Sequence, residues 1–193
     1  MNKIVTCVVC IASLVLGGCL PDSMGPTTAG SWFNHDRRTA STIVDDQAIT
    51  VKANMAIAKD KAVWKDSHIS TLSYNNSLLL VGQTKNRIYK DQLEKILAPI
   101  SGIGNIYNQV TIGEPIPLKV RANDTWITTQ VKAKIVTNRD IGINRVKVIT
   151  ENGIVYLMGM LTTDEERIVT DMVRRVSGVQ KVVTVIERAE GAP

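Results

Sequence analysis

The chain repeats itself, and that limits its folds more than any single motif does. Placing D-D-Q-A-I-T-V-K-A-N-M-A-I, from Asp45, over N-D-T-W-I-T-T-Q-V-K-A-K-I, from Asn123, aligns Asp46, Ile49, Thr50, Ala53 and Ile57 with Asp124, Ile127, Thr128, Val131 and Ile135, always 78 apart. L-L-L-V-G at Leu78 to Gly82 then matches V-Y-L-M-G at Val155 to Gly159, 77 apart, and S-G-I-G-N-I-Y-N-Q-V from Ser101 matches S-G-V-Q-K-V-V-T-V-I from Ser177, 76 apart. Three ordered matches with slowly drifting offsets mark a duplication with small loop changes. Each copy spans only about 65 residues, a size at which burial is thin and stability modest.

Both copies show the same order of elements. A first helix is expected behind Asp46 or Asp124 as its cap, with an inward stripe of Ile49, Ala53 and Ile57 in one copy and Ile127, Val131 and Ile135 in the other. Strands follow at Ile69 to Tyr74 and Val146 to Thr150, with tight turns at Asn75-Asn76 and Asn152-Gly153 and returning strands at Leu78 to Gln83 and Ile154 to Leu161. The second helix of copy two opens on Thr163-Asp164-Glu165-Glu166, which reads as a capping box, and repeats Val169, Met172, Val173 and Val176 at helical spacing. Its counterpart carries Tyr89, Leu93, Ile96 and Leu97 and stops at Pro99. Gly102 and Gly178 release the chain into a last strand, which Gln109 interrupts in copy one. The expected fold class is thus α/β in the sense of an α+β sandwich: two tandem α-β-β-α-β units, each a three-stranded mixed sheet covered by two helices. Domain limits are expected at 45–113 and 124–188, with a C-terminal tail at 189–193. Pro115-Ile116-Pro117 makes the 114–123 junction short and stiff, and Leu118-Lys119-Val120 alternates well enough to add an N-terminal edge strand to the second unit.

The N-terminal end reads differently. Residues 1–18 hold one basic side chain, a continuous apolar run and a small-residue exit, the pattern of a secretory signal peptide. Leu16-Gly17-Gly18-Cys19 resembles the lipobox of bacterial lipoproteins. The resemblance implies cleavage before Cys19, a diacylglyceryl thioether and an acylated amino group on that residue, and a membrane anchor of two or three acyl chains, such as palmitate. Cys7 and Cys10 fall in the removed part, so no thiol is left for a disulfide, a metal or a nucleophile. Leu20, rather than an aspartate, after the cysteine favours by resemblance the outer membrane, with the protein facing the periplasm. Residues 19–44 read as a lipidated flexible tether, rich in Pro, Gly, Ser and Thr. Trp32-Phe33 is open to three readings: contact with the bilayer, contact with the first domain, or an incidental pair. Arg37 and Arg38 either meet anionic headgroups or are simply solvated.

Catalytic chemistry is not in evidence. The two histidines, His35 and His68, have no metal-binding or catalytic spacing, and Asp164, Glu165 and Glu166 sit where a helix N-terminus attracts acids. Gly82 and Gly159 lack a phosphate-loop context, so close packing or a bulge explains them better. The chain is expected to be neither an enzyme nor a metal or cofactor protein. Its basic excess is small, with 8 basic and 5 acidic residues in 46–113 and 10 and 8 in 124–188. A nucleic-acid binder would show a denser stripe, so lipid headgroups and cell-wall or outer-membrane polymers are the polyanions to consider.

The first helix of copy two carries a second stripe. At 100° per residue, Ile127, Val131 and Ile135 centre near about 40°, whereas Trp126, Thr129, Ala133 and Val136 fall between about 180° and 260°, with Lys132 bordering them. A helix with two apolar stripes needs two partners. One is its own sheet; the other is copy one, a second protein or a bilayer interface, where an indole sits well at headgroup level and lysines attract anionic lipid. In copy one the equivalent positions are Ala48, Val51 and Met55, beside Lys52, without an aromatic.

The I-T-x-x-V-K-A opening, the L-x-G at Leu157 and Gly159 and the S-G-V-x-x-V-x-T-x-I ending resemble the BON domain of bacterial osmotic-stress and outer-membrane proteins. Two such units behind a lipobox resemble the dual BON-domain outer-membrane lipoprotein family. That resemblance covers roughly residues 45 to 188 plus the signal, with copy one the looser match. It implies a non-catalytic protein that supports envelope integrity, with a role at division sites. It also implies that the first helix of the second BON domain binds anionic phospholipid, notably phosphatidylglycerol, with Trp126 of W-I-T-T at the matching position; Thr129, Lys132, Ala133 and Val136 are added from the helical wheel. The alternative is a periplasmic scaffold that docks an envelope protein or the cell wall. Oligomeric state is not set by the sequence, and a monomer is the simplest reading.

Overall fold

A computed structural model describes residues 36–138 and 141–189. The expected signal peptide at 1–18, Cys19, Trp32-Phe33 and the residues beyond 189 lie outside the described residues.

The first repeat runs α1 (Ala40–Lys59), α2 (Lys61–Lys65), β1 (Ser67–Tyr74), β2 (Ser77–Thr84), α3 (Arg87–Leu97), β3 (Asn105–Asn108) and β4 (Thr111–Ile112). The second runs α4 (Leu118–Thr137), a 3-10 turn (Ile143–Arg145), β5 (Val146–Glu151), β6 (Ile154–Leu161), α5 (Thr163–Arg174) and β7 (Lys181–Arg188). In each repeat a hairpin is antiparallel and the last strand returns parallel to the hairpin's second strand, giving the mixed sheets β1-β2-β3 and β5-β6-β7. The short β4 also pairs with β2, after the interruption at Gln109 and Val110. The hairpin turns use left-handed residues, Asn75 and Asn76 in one and Asn152 and Gly153 in the other, as two-residue turns require.

Each sheet buries one face beneath its helices. Ile49, Ala53, Ile57, Leu78, Leu80, Leu93 and Leu97 form the first core; Ile127, Val131, Ile135, Val155, Leu157, Val169 and Val173 are central to the second. Gly82 and Gly159 occupy equivalent places at which a β-carbon would stand 1.9 Å from the His68 carbonyl oxygen and 2.2 Å from that of Arg145. Close backbone packing is therefore what these glycines permit.

The other sheet faces meet each other. Tyr74, Leu79 and Val81 from the first repeat join Tyr156 and Met158 from the second in a third apolar layer, with Leu72, Ile149, Val183 and Val185 packed against it. The order of layers is helices, sheet, sheet, helices, and both repeats belong to one compact unit. This explains why L-L-L-V and V-Y-L-M are continuous apolar runs rather than alternating ones: successive side chains enter different cores, and both faces of the strand are dry.

Four sequence expectations are corrected. Leu118-Lys119-Val120 is not an edge strand; it opens α4, behind Pro117, whose fixed φ suits a helix start. Asp46 and Asp124 do not cap the first helices, which begin six residues before each of them. Both aspartates are buried in mid-helix and reach across to the hairpin turn: Asp46 accepts from the N–H groups of Asn75 and Asn76, and Asp124 from those of Asn152 and Gly153, at 2.7–2.9 Å. The cap of α5 is Thr162 rather than Thr163, and it forms a capping box with Glu165. Arg37 and Arg38 are neither solvated nor free for headgroups. Arg37 donates to the Met160 carbonyl and to Glu165, which Arg145 also holds. Arg38, 5% exposed, lies between Asp36 and Asp46 with its guanidinium 3.9 Å from the centre of the Tyr74 ring. Burial pushes Glu165 upward, but hydrogen bonds from Arg37, the Thr162 N–H and Arg145 outweigh it and leave the carboxyl below its ordinary range.

Candidate functional site: an outward helix face and the groove beside it

The twenty residues of α4 span about 30 Å at 1.5 Å per residue. Its inner stripe, Asp124, Ile127, Val131 and Ile135, is buried against its own sheet. The opposite face has no covering layer among the described residues. Leu118 is 78% exposed, Trp126 49% and Val136 63%. Ala122, Thr129, Lys132 and Ala133 are exposed as well, so every residue expected on the second stripe lies on the open side.

Two of the stripe's residues escaped the sequence reading. Leu118 and Ala122 continue Trp126 toward the N-terminus at four-residue spacing, and starting the helix at Asp124 hid them. Pro117 followed by that spacing was the available signal. Thr129 is less polar than its name suggests, because its hydroxyl donates to the Thr125 carbonyl at 2.9 Å, as that of Thr125 does to the Arg121 carbonyl. The methyl groups complete an apolar strip bordered by Lys119 and Lys132.

Beside this strip, toward the first repeat, a groove of about 430 Å³ runs between α4, β5 and β1. Arg121, Thr125, Thr128, Thr129 and Lys132 form its helical wall, while His68 and Ser70 come from the first repeat. Glu151 lies buried at its floor, where its Oε1 accepts from Gln83 Nε2 at 3.0 Å and its Oε2 is 3.9 Å from His68 Nε2. Burial raises the Glu151 pKa, and Asp124 adds to the rise, against the Gln83 hydrogen bond and the Arg121 charge. Burial lowers that of His68, and the Arg121 charge lowers it further, while Asp124 opposes.

A pH prediction follows. Glu151 keeps its proton in the fold more readily than in the unfolded chain, so its contribution is complete below its ordinary value of 4.5 and is lost as pH rises from there through the raised folded value. His68 has the opposite sense: its neutral form suits the fold, and stability is lost as pH falls below 6.5 toward its lowered folded value. Urea midpoints measured between pH 4 and 7 are expected to show Glu151→Gln gaining on the parent as pH rises. A constant difference across that range would show that Glu151 does not titrate differently in the two states.

Among the described residues, no group of three or more His, Cys, Asp or Glu side chains is placed to hold a metal ion. No helix among them is long and apolar enough to cross a membrane.

A duplicated mixed sheet with helices on one face of each copy, joined sheet to sheet, defines a tandem two-domain α+β module. The chain belongs to the BON domain family, which it matches over residues 45–114 and 123–190. It is similar to the outer membrane lipoprotein DolP of Haemophilus influenzae, with 32% identity over 176 residues that cover 91% of each chain. It is also similar to the 21 kDa hemolysin of Actinobacillus pleuropneumoniae, 34% identical over 78% of each chain, and to the osmotically-inducible protein Y of Escherichia coli, 22% identical over 94% of this chain and 93% of the relative.

Proposed function

We propose that this is a non-catalytic outer-membrane lipoprotein, anchored through acylated Cys19 and facing the periplasm, that binds anionic phospholipid such as phosphatidylglycerol through α4 and supports envelope integrity at division sites. The observation that carries the reading is the open stripe of Leu118, Ala122, Trp126, Thr129, Ala133 and Val136, with Lys132 at its edge. An apolar strip with an indole and flanking cations is the surface an interfacial helix presents to headgroups. Likeness to the Haemophilus lipoprotein supports the compartment and the anchor.

A scaffold reading has one observation in its favour. Helix α1 also leaves Val44, Val51 and Met55 exposed, on the other outer layer of the sandwich. A single saturable protein partner captured by crosslinking, without vesicle binding, would favour it.

The direct test uses the chain from residue 19 with Cys19→Ser. Trp126→Ala is expected to weaken sedimentation with phosphatidylglycerol vesicles roughly tenfold, since about half an indole's area is at stake at ~25 cal/mol per Å². Circular dichroism should be nearly unchanged, because the ring is half exposed. Equal sedimentation of both proteins would reject the role of Trp126.

A further inference from the structure

Strand β7 ends its sheet, and its outer edge has no partner strand among the described residues. We infer that this edge is a self-association surface: two copies of the chain pair β7 with β7, antiparallel about Thr184, and merge their three-stranded sheets into one. The duplication itself points to this strand. Its counterpart in the first repeat is broken at Gln109 and Val110 into β3 and β4, and the Asn108 side chain there is engaged with Lys90, Glu94 and the Val110 N–H. An interrupted edge of that kind resists pairing with another chain. No such guard interrupts β7. Its eight residues, Lys181–Arg188, run unbroken and none is buried, whereas most of the neighbouring β6 is. An edge so long, regular and apolar is a template for a further strand.

Hydrogen-bond geometry and charge select a second copy as the occupant. The Ala189 N–H donates to the Leu161 carbonyl, and alternation back along the strand turns the peptide groups of the odd-numbered residues to β6. Those of Val182, Thr184 and Ile186 therefore point outward. In an antiparallel pair, such residues exchange both bonds with the residue directly opposite. Thr184 then meets Thr184 on a twofold axis, with Val182 against Ile186 on either side. The same register sets Lys181 of one copy opposite Glu187 of the other. Within its own chain Glu187 accepts from Asn75 and Ser77 and forms no ion pair among the described residues. Moving the pairing one step either way sets Lys181 against Val185 or Ala189 and Glu187 against Val179 or Val183, so both charges lose their partners.

The space beside the edge fits an added strand. A groove of about 340 Å³ runs between α5 and β7, with Glu166, Arg167, Thr170 and Arg174 on its helical wall and Val182 and Thr184 on the strand. Thr170 has a buried Oγ1 without a hydrogen-bond partner among the described residues, a position that calls for one. Val182 and Ile186 face the helix-covered core, and residues opposite each other in a sheet share a face. The second copy therefore brings its own Val182, Thr184 and Ile186 along the groove, and Thr184 is the hydroxyl among them. Because the twofold axis stands perpendicular to the merged sheet, the helical layers of the second repeats lie on one side, and the open α4 strips of both copies face the same way.

The test begins with Thr184→Cys in the full-length chain, expressed in cells and run on non-reducing gels. A disulfide-linked dimer is expected, since the α-carbons of such a pair stand about 5.5 Å apart, within disulfide range. Lys95→Cys, at an exposed position on α3, should stay monomeric. Analytical ultracentrifugation of the chain from residue 19 with Cys19→Ser should show a monomer–dimer equilibrium. Lys181→Glu should weaken it about tenfold, because two symmetric pairs turn from attraction to repulsion. Lys181 is exposed, so circular dichroism should not change. Thr184→Pro removes an outward N–H without touching the ladder to β6 and should abolish the dimer. A parent that stays monomeric and gives no Thr184→Cys crosslink would overturn the inference. So would equal crosslinking of Thr184→Cys and Lys95→Cys, or a dimer that survives both Lys181→Glu and Thr184→Pro. Crosslinking of Thr184→Cys to a different protein alone would make the edge a docking site for another chain's strand and overturn the second copy as its occupant.

Discussion

Asp46→Ala is expected to unfold the first repeat under conditions in which the parent is fully folded, with a loss of about 3–5 kcal/mol. The carboxylate is fully buried, and four donors converge on it: the N–H groups of Asn75 and Asn76, the Ser73 hydroxyl and the Arg38 guanidinium, at 2.7–2.9 Å. Removing it leaves a turn in left-handed geometry without its acceptor and strips a buried arginine of one of its two counter-charges. Each unsatisfied donor costs about 1–3 kcal/mol and the unpaired charge adds to that, in a domain whose whole stability is of the order of 5–15 kcal/mol. Asp124→Ala removes only the two turn contacts and no ion pair, so its loss should be smaller. Urea unfolding followed by circular dichroism measures both. Similar midpoints for Asp46→Ala and the parent would show that the turn does not depend on this acceptor.

Leu79→Asp should separate the repeats. Leu79 is fully buried, and it lies in the layer between the two sheets rather than in the helix-covered core of its own repeat. A carboxylate there meets no cation among Tyr74, Val81, Tyr156 and Met158, and the penalty for leaving it charged in that layer is several kcal/mol. Its neighbours Leu78 and Leu80, which face the first core, are untouched. The expected result is that each repeat keeps its secondary structure while the single unfolding transition becomes two and the radius of gyration from small-angle scattering increases. The polar seam, in which Lys147 Nζ donates to the Ser73 carbonyl and Asn75 and Ser77 donate to Glu187, should not hold the sheets together alone. A variant that unfolds in one transition with unchanged dimensions would show that the layer tolerates the charge.

Much of each repeat was legible because the signals are local. Ile127, Val131 and Ile135 at helical spacing, Asn152-Gly153 at the turn and the run from Val169 to Val176 each declare an element through contacts within a few residues. Where the reading failed, a residue's partner lay far off in sequence. Asp124 has the composition of a helix cap, but its ligands are two amides 28 and 29 residues away. Arg37 and Arg38 look like tether charges until Glu165 and Asp46 are brought beside them by the fold. The exposed side of Trp126 was readable from its angle on the helix, whereas the groove was not, since His68 and Glu151 come from different repeats.

The sequence by itself determined two copies of one unit, the order of their helices and strands, and which flank of α4 turns away from its own sheet, because periodicity sets which side chains share a face. Only the tertiary structure decided that the repeats join through their sheets, which leaves both helical layers on the outside and, among the described residues, the strip from Leu118 to Val136 uncovered. The physical reason is that L-L-L-V and V-Y-L-M need two dry faces, and spacing alone does not say which surface supplies the second one.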